Sequence, residues 1–273
     1  MMPWSRRLAT VGSVAIVAAG LIPVYWTLVA SLSPEASLFT APSLIPTALV
    51  FDHYRALFAG LAFWRPIRNS LVVAGTTTVF AVAAGSLCAY AIARLRFRGR
   101  NLVLAAVLAV SMFPQIAVVS PLFLMLRQVH LIDTYPGLVL PYMTFAMPIS
   151  IWLLVGFFRQ LPPEIEEAAL VDGASRLQAF RKIVLPLAVP GVTATAILTF
   201  LYCWNEFLFA LTFTLGPERQ TVPVAIALFR GQYQVPWGQV LAGSVVATIP
   251  VVLILLVAQR RIVQGLTSGA VKG

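Results

Sequence analysis

Apolar runs, each near the roughly 20 residues that a helix needs to cross a bilayer, alternate along this chain with short polar breaks. Six such runs lie at about 9–31, 67–93, 102–126, 137–158, 189–213 and 240–259. They predict an all-α integral membrane protein with six transmembrane helices, forming a single transmembrane domain over 1–273. Prolines mark where the runs should bend. "MFPQIAVVSP" places Pro114 and Pro121 inside the third run, which should kink or break there. Broken backbone at that depth needs protein or a water-filled path to satisfy it.

The connections differ in character. About Ser33 to Pro66 is the longest, and Pro34, Pro42 and Pro46 deny it a long helix, while "FDHYRALF" (51–58) can form a short one at the interface. "RLRFRGRN" (94–101) is a tight basic hairpin, "RQVHLIDTYPG" is short, and "TLGPERQTVPVAIALFRGQYQVPWG" is partly apolar, either re-entrant or lying along the interface. No repeat of 20–50 residues and no second domain is visible.

One connection breaks the pattern. The stretch 160–186, centred on "EEAALVDGASRLQAFRKIVLP", is a charged island between the fourth and fifth runs. Pro162 and Pro163 suit a helix start, and Glu164, Glu166 and Glu167 fall in the first turn, where the helix dipole favours acids. Gly173 is placed to end that helix, because it accepts a left-handed backbone without a Cβ clash. Ser175 followed by Gln178 reads as a capping box opening a second helix. Arg181 and Lys182 would lie in its last turn and Pro186 would stop it. An ordinary amphipathic loop is the competing reading; a helix–turn–helix laid across the membrane face, with Ala168 and Ala169 as a close-approach surface, is the sharper one.

Composition and charge narrow the class. Of 273 residues 60% are hydrophobic, mean hydropathy is +0.90 and only 10% are charged, which a soluble domain of this length does not tolerate. The net charge of +10 suggests nucleic acid until the bases are sorted by side. With the amino terminus in the cytoplasm, Arg6, Arg7, Arg94, Arg96, Arg98, Arg100, Arg159, Arg176, Arg181, Lys182, Arg260, Arg261 and Lys272 fall inside. Arg55, Arg65, Arg68, Arg127, Arg219 and Arg230 fall outside. The positive-inside rule accounts for that asymmetry and puts both termini in the cytoplasm. No basic stripe remains for DNA or RNA. Arg6-Arg7 and the following apolar run resemble a signal peptide, but the run is too long for one and reads as an uncleaved first span.

Candidate chemistry is sparse. Cys88 and Cys203 sit within predicted spans and read as small buried apolar residues. His53 and His130 are isolated and expected to be solvated, without metal-ligand spacing. Neither lysine completes G-x-x-x-x-G-K-[ST], so nucleotide binding by that route is absent from this chain. No Gly-x-Ser-x-Gly elbow occurs, and covalent catalysis is not expected. Trp26, Trp64, Tyr142, Trp152 and Trp237 read as interfacial belt or packing.

The island carries a resemblance. Glu167-Ala168-Ala169, three residues, Gly173, nine residues, then Ile183-x-Leu185-Pro186 resembles the "EAA" loop of permease subunits of binding-protein-dependent ABC importers. "NSL" (69–71), "MFP" (112–114), "LIDTYPGLVL" (131–140), "WNEFLFAL" (204–211) and the tail "GLTSGAVKG" (265–273) are similar to the maltose-type sugar permeases, in particular the shorter, six-span member of the pair. The resemblance implies that the island is a coupling helix seated in a cleft on a separate ATPase, with Glu167, Ala168, Ala169, Asp172, Gly173 and Ala174 at the docking core. It implies a second related permease, two copies of an ABC ATPase subunit that hold ATP and Mg, and an extracytoplasmic substrate-binding protein or lipoprotein. It implies a bacterial inner-membrane location, no cofactor on this chain itself, and a disaccharide substrate, trehalose or maltose-like. Importers of amino acids, phosphate or peptides share the docking loop and stay open, as do an ion-coupled transporter and a non-transporting membrane scaffold.

The acid deep in a predicted span is Glu206, in "YCWNEF"; a carboxylate at that depth costs roughly 2.5–3.5 kcal/mol on insertion. One reading is a satisfied contact between helices. The other puts it beside a substrate path with Trp204, because Tyr202, Asn205 and Glu206 have the i, i+3, i+4 spacing of one helix face. Thr195 and Thr199 would extend that face, and Gln115, beside Pro114, is a second polar candidate at a helix break.

Overall fold

The computed structural model describes residues 3–39, 45, 48–229 and 235–270, with backbone alone at 3–7 and 260–270. Pro42, Pro46, Arg230, Lys272 and the end of the tail motif lie outside the described residues. Secondary structure among the described residues is helical throughout. In chain order the helices are α1 (Pro3–Ser31), α2 (Asp52–Arg55), α3 (Trp64–Arg94), α4 (Arg100–Ser111), α5 (Gln115–Gln128), α6 (Tyr135–Gln160) and α7 (Pro163–Val171). They continue with α8 (Arg176–Ala179), α9 (Leu185–Leu187), α10 (Val189–Trp204), α11 (Leu208–Phe213), α12 (Val222–Ala227) and α13 (Trp237–Ala270).

Among the described residues four stretches are long and apolar enough to cross a bilayer: Leu8–Ser31, Trp64–Arg94, Tyr135–Gln160 and Trp237–Gln259. Two bent pairs raise the number to six if each pair is one span. α4 and α5 meet at 87°. The break falls at Met112–Pro114, where Pro114 adopts an extended ψ of 121° as the N-cap of α5, as the ring's demands on its neighbours predict. Pro121 stays inside α5 without breaking it. The second pair, Arg176–Leu187 and Val189–Trp204, bends by 78°.

The chain divides into two compact units. The first comprises residues 1–64 and 225–249. Most of α1 is apolar and exposed, Leu8, Val11, Val14, Ile16 and Val17 among others, a surface suited to lipid. Its last turn enters protein, where Val29, Ala30 and Ser31 are buried. Ser31 Oγ lies 2.7 Å from the Tyr54 hydroxyl, and the Val50 amide donates to the Leu32 carbonyl at 2.8 Å. The short helix foreseen at 51–58 is α2, extended by a π turn over Ala56–Gly60. His53 departs from the expectation of a solvated side chain. It is 12% exposed, lies 3.0 Å from the Ser33 carbonyl through Nε2, and its ring occupies the space that a Cβ on Gly238 would need. That glycine lets the start of α13 close over the imidazole.

The second unit, Arg65–Val224 with residues 250–273, carries the larger core. α6 is its hub and packs against α10 and α4, with α11 resting on α5 and α6. Gly191 admits the Phe157 ring against the first turn of α10. Ser150 Oγ and Thr199 Oγ1 join α6 to α10 at 2.9 Å.

At the end of α3 that carries Asn69, a polar clamp holds two loops. Asn69 is fully buried; its amide donates to the carbonyls of Glu218 and Gln220 at 2.9 Å each, and its Oδ1 accepts from the Tyr135 hydroxyl at 2.7 Å. Ser70 Oγ accepts from the Val222 amide at 2.8 Å. Asp133, at φ +60°, donates its amide to Phe213 O and accepts from the Leu215 amide. Thr134 caps α6 on the Gly137 amide at 3.2 Å. These contacts give "NSL" and "LIDTYPGLVL" a physical reason. Asn69 and Ser70 are buried and pair with groups about 150 residues further along the chain, as burial demands of polar groups.

Two further expectations change. The fifth span is not continuous over 189–213: α10 ends at Trp204 and α11 starts at Leu208. Pro186 does not stop the second island helix. A π turn over Phe180–Val184 precedes it, widening the backbone where the proline ring and its missing N–H would disturb an α turn. Helix therefore runs on to Leu187, and the bend falls at Ala188.

Candidate functional site

The candidate site is the hairpin between α6 and α10. α6 ends with Leu161 in extended conformation, Pro162 and Pro163 start α7, and Glu164 and Glu166 fill its first turn. Asp172 is the C-cap, and Gly173 follows at φ +87°. The Ala174 amide donates to Ala169 O at 2.9 Å and the Gly173 amide to Leu170 O at 3.2 Å. These are the paired bonds of a Schellman ending, which needs a left-handed residue at that point. The chain then re-enters helix through the foreseen capping box: Ser175 N donates to Gln178 Oε1 at 2.7 Å and Gln178 N to Ser175 Oγ at 3.3 Å.

The hairpin has an anchored side and an open side. Ala179, Phe180, Val184 and Ala188 are buried with Ala89, Tyr90 and Ile92 of α3 and Ile151, Leu154, Val155 and Phe158 of α6. The Phe180 ring lies 4.9 Å from Tyr90 and 6.3 Å from Phe158. On the open side Glu167, Ala168, Asp172 and Gly173 are exposed, with Ala169 and Ala174 half-buried. Val171 is 87% exposed at the tip, and Ile165 and Leu177 are exposed as well. Ile165, Ala168 and Val171 recur every three residues on α7, near neighbours along one helix face. Exposed apolar side chains beside acids, on a hairpin whose other side is packed into the core, are of the kind that mark interaction sites.

Sequence reasoning missed what Glu166 does. The sequence places it among the acids of the first turn that the helix dipole favours, yet it is 4% exposed and reaches inward. Its Oε1 accepts from the Tyr90 hydroxyl at 2.6 Å, and its Oε2 lies 3.6 Å from Arg94 Nε. Arg176 Nη1 stands 3.7 Å away. Arg94 also donates to the Leu161 carbonyl at 2.8 Å. The one local signal was the i, i+4 pair of Tyr90 and Arg94 on the last turn of an apolar helix.

The residues singled out for a substrate path fall in different surroundings. Gln115 Nε2 donates to the Tyr202 hydroxyl at 2.5 Å, joining α5 to α10. Thr199 is buried against Ser150. Asn205 is exposed, and its amide donates back to Leu201 O at 2.8 Å. Glu206 is 7% exposed; its carboxylate accepts from the Phe209 amide at 2.8 Å and the Ala210 amide at 3.1 Å. Tyr202, Asn205 and Glu206 therefore do not share one helix face, because the helix stops at Trp204 and Glu206 stands just before the next one. Its oxygens satisfy the amide donors that a helix start leaves without partners.

Comparison with known proteins places this architecture. Residues 81–268 match the family described as "Binding-protein-dependent transport system inner membrane component". The trehalose transport system permease protein SugB of Mycobacterium tuberculosis is 47% identical over 260 residues, 94% of each chain. The trehalose/maltose transport system permease protein MalG of Thermococcus litoralis is 40% identical, over 98% of this chain and 97% of that one. The sulfoquinovosyl glycerol transport system permease protein SmoH of Agrobacterium fabrum is 38% identical, over 93% and 90%. Among solved structures, a chain of a bacterial ABC transporter involved in the import of the acidic polysaccharide alginate superimposes with a TM-score of 0.77 at 24% identity, covering 96% of this chain and 99% of that one. The fold, the match across two thirds of the sequence and the near full-length relatives agree: the chain belongs to the family of inner-membrane components of binding-protein-dependent transport systems.

Proposed function

We propose that this chain is the six-span permease subunit of an ATP-driven disaccharide importer, with trehalose or a maltose-like α-glucoside as substrate. The observation that carries the reading is the near full-length identity to trehalose and trehalose/maltose permeases, joined to a rigid hairpin with an exposed apolar tip. The chain acts as one transmembrane domain with a second, related permease, and both termini face the cytoplasm. Two ATPase subunits hold ATP and Mg, and this chain binds neither. Glu167, Ala168, Ala169, Asp172, Gly173 and Ala174 form the surface that one ATPase grips, so that closure of the ATPase pair tilts the helices on which the hairpin is anchored. An extracytoplasmic binding protein delivers the sugar on the opposite side.

Gln115 and Tyr202, bonded beside the α4–α5 break, are the polar pair best placed to meet sugar hydroxyls. Thr199, Asn205 and Glu206 support the broken helix around them. Glu206 offers no support for an ion-coupled mechanism, because its carboxylate is already committed to backbone amides.

The test is the ATPase rate of the co-purified assembly in liposomes, with its receptor present and a panel of sugars. Stimulation by trehalose or maltose, with uptake of the same sugar, is the expected result. Stimulation by an amino acid, phosphate or peptide alone would overturn the sugar assignment.

A further inference from the structure

Glu166 stands apart from the surface just described. Its neighbour Glu167 is exposed, whereas Glu166 turns its carboxylate into protein. One oxygen accepts a hydrogen bond from the Tyr90 hydroxyl at 2.6 Å, and the other faces Arg94 Nε at 3.6 Å as an ion pair without a hydrogen bond. The Arg94 side chain is itself only 9% exposed. Its guanidinium also holds the Leu161 carbonyl, the last residue before the hairpin. Arg176, on the far side of the Gly173 turn, approaches the same carboxylate at 3.7 Å, and its carbonyl lies 3.3 Å from the Tyr90 hydroxyl. One buried acid thus gathers the end of α3, the end of α6 and both helices of the hairpin. A buried charge cluster contributes little net stability compared with apolar packing, but it becomes costly when one member is removed, because its partner stays buried and uncompensated.

We infer that Glu166 is a positioning residue for energy coupling: with Tyr90 and Arg94 it locks the hairpin to α3, so that displacement of the hairpin is carried into that helix and not absorbed at the hairpin's base. This rests on the reading above that an ATPase grips the exposed side, and it adds where the force goes next. The apolar contacts of Phe180 and Val184 hold the second arm of the hairpin to α3 and α6. α7, which carries Ala168 and the exposed tip, has the Glu166 cluster as its buried anchor. The Tyr90 bond to the carboxylate is charge-assisted and fixed in geometry, and the arginines beside it add attraction to the same point.

Glu166→Gln removes the charge and keeps the size; Tyr90→Phe removes one hydroxyl and keeps the ring on Phe180. Both are made in the complete assembly, with a crosslinkable cysteine at Ala168 to report ATPase docking. The measurement is trehalose taken up per ATP hydrolysed in liposomes. Docking and unstimulated hydrolysis should persist in Glu166→Gln while uptake per ATP falls about tenfold, within the usual range of coupling between sites. Tyr90→Phe should give a smaller loss, and the double variant should be no worse than Glu166→Gln alone, because the two act through one cluster. Glu166→Asp, which keeps the charge, should restore part of the ratio.

A parental ratio in Glu166→Gln overturns the inference. So does loss of the Ala168 crosslink in that variant, which would make Glu166 part of the grip. If Glu166→Gln fails to accumulate, Tyr90→Phe decides, and an unchanged ratio there overturns it. Absence of the crosslink in the parental assembly would remove the docking reading beneath, and this inference with it.

Discussion

Gly173 shows what a single residue decides. At φ +87° it lets the Ala174 amide turn back onto Ala169 and the chain reverse within a few residues. A β-branched side chain there is strained whatever space surrounds it, by roughly 1–2 kcal/mol for the left-handed backbone alone, and it loses the Schellman bonds if it escapes. Gly173→Val should therefore leave the helices inserted while rotating the exposed face of α7. The expected outcome is an assembly that loses its ATPase subunits on purification, or retains them without sugar-stimulated hydrolysis. A full ATPase complement with parental uptake would refute the docking role of that face. Gly173 and the Ser175–Gln178 box were legible from the chain because their partners lie within five residues. Glu166 was not legible, because its partners are Tyr90 and Arg94, more than seventy positions earlier, and nothing local distinguishes an acid that caps a dipole from one that turns inward.

At the scale of elements, the same division separates the two broken spans. Pro114 announces its break, since its ring and missing N–H act on the adjacent turn. The break after Trp204 has no such marker: "YCWNEFLFAL" reads as continuous apolar helix with one misplaced acid, and helical spacing then assigns that acid to a face. In the folded chain Glu206 instead stands just before α11 and accepts from amides of its first turn, and Phe209 and Phe213 of that helix pack on Phe145 and Phe123. Removing the carboxylate leaves the Phe209 and Ala210 amides buried without partners, a cost of about 1–3 kcal/mol for each such group. Glu206→Ala should therefore lower the unfolding temperature of the assembly clearly. Glu206→Gln, which keeps an acceptor oxygen, should lower it less and preserve sugar-stimulated hydrolysis once assembly is matched. Thermal unfolding of the co-purified assembly in detergent checks both. Equal unfolding temperatures for Glu206→Ala and the parent would show that the acid caps nothing, and would return it to the substrate path. The Asn69 clamp belongs to the same class, with acceptors in a loop some 150 residues further on.

On the scale of the whole molecule, the decisive feature is a division of labour. The chain holds a rigid hairpin with an apolar tip, broken helices with polar pairs at their breaks, and long lipid-facing helices. The nucleotide-binding glycine-rich lysine motif is missing, because Lys182 follows Arg181 and Lys272 follows Val271. On the proposed reading energy enters through a surface, and the open side of the hairpin is the surface proposed to receive it. The chain purified alone in detergent or nanodiscs should show no ATP hydrolysis above an empty-vector preparation, with or without trehalose. Adding the cognate ATPase should produce a complex in which α7 becomes protected from labelling at an engineered Ala168→Cys, while a cysteine at Arg96 in the basic hairpin stays reactive. Hydrolysis that survives stringent removal of every other polypeptide would place the motor in this chain and dissolve the proposed division. Protection at both positions, or at neither, would put the docking surface somewhere other than the hairpin whose two sides the fold keeps so distinct.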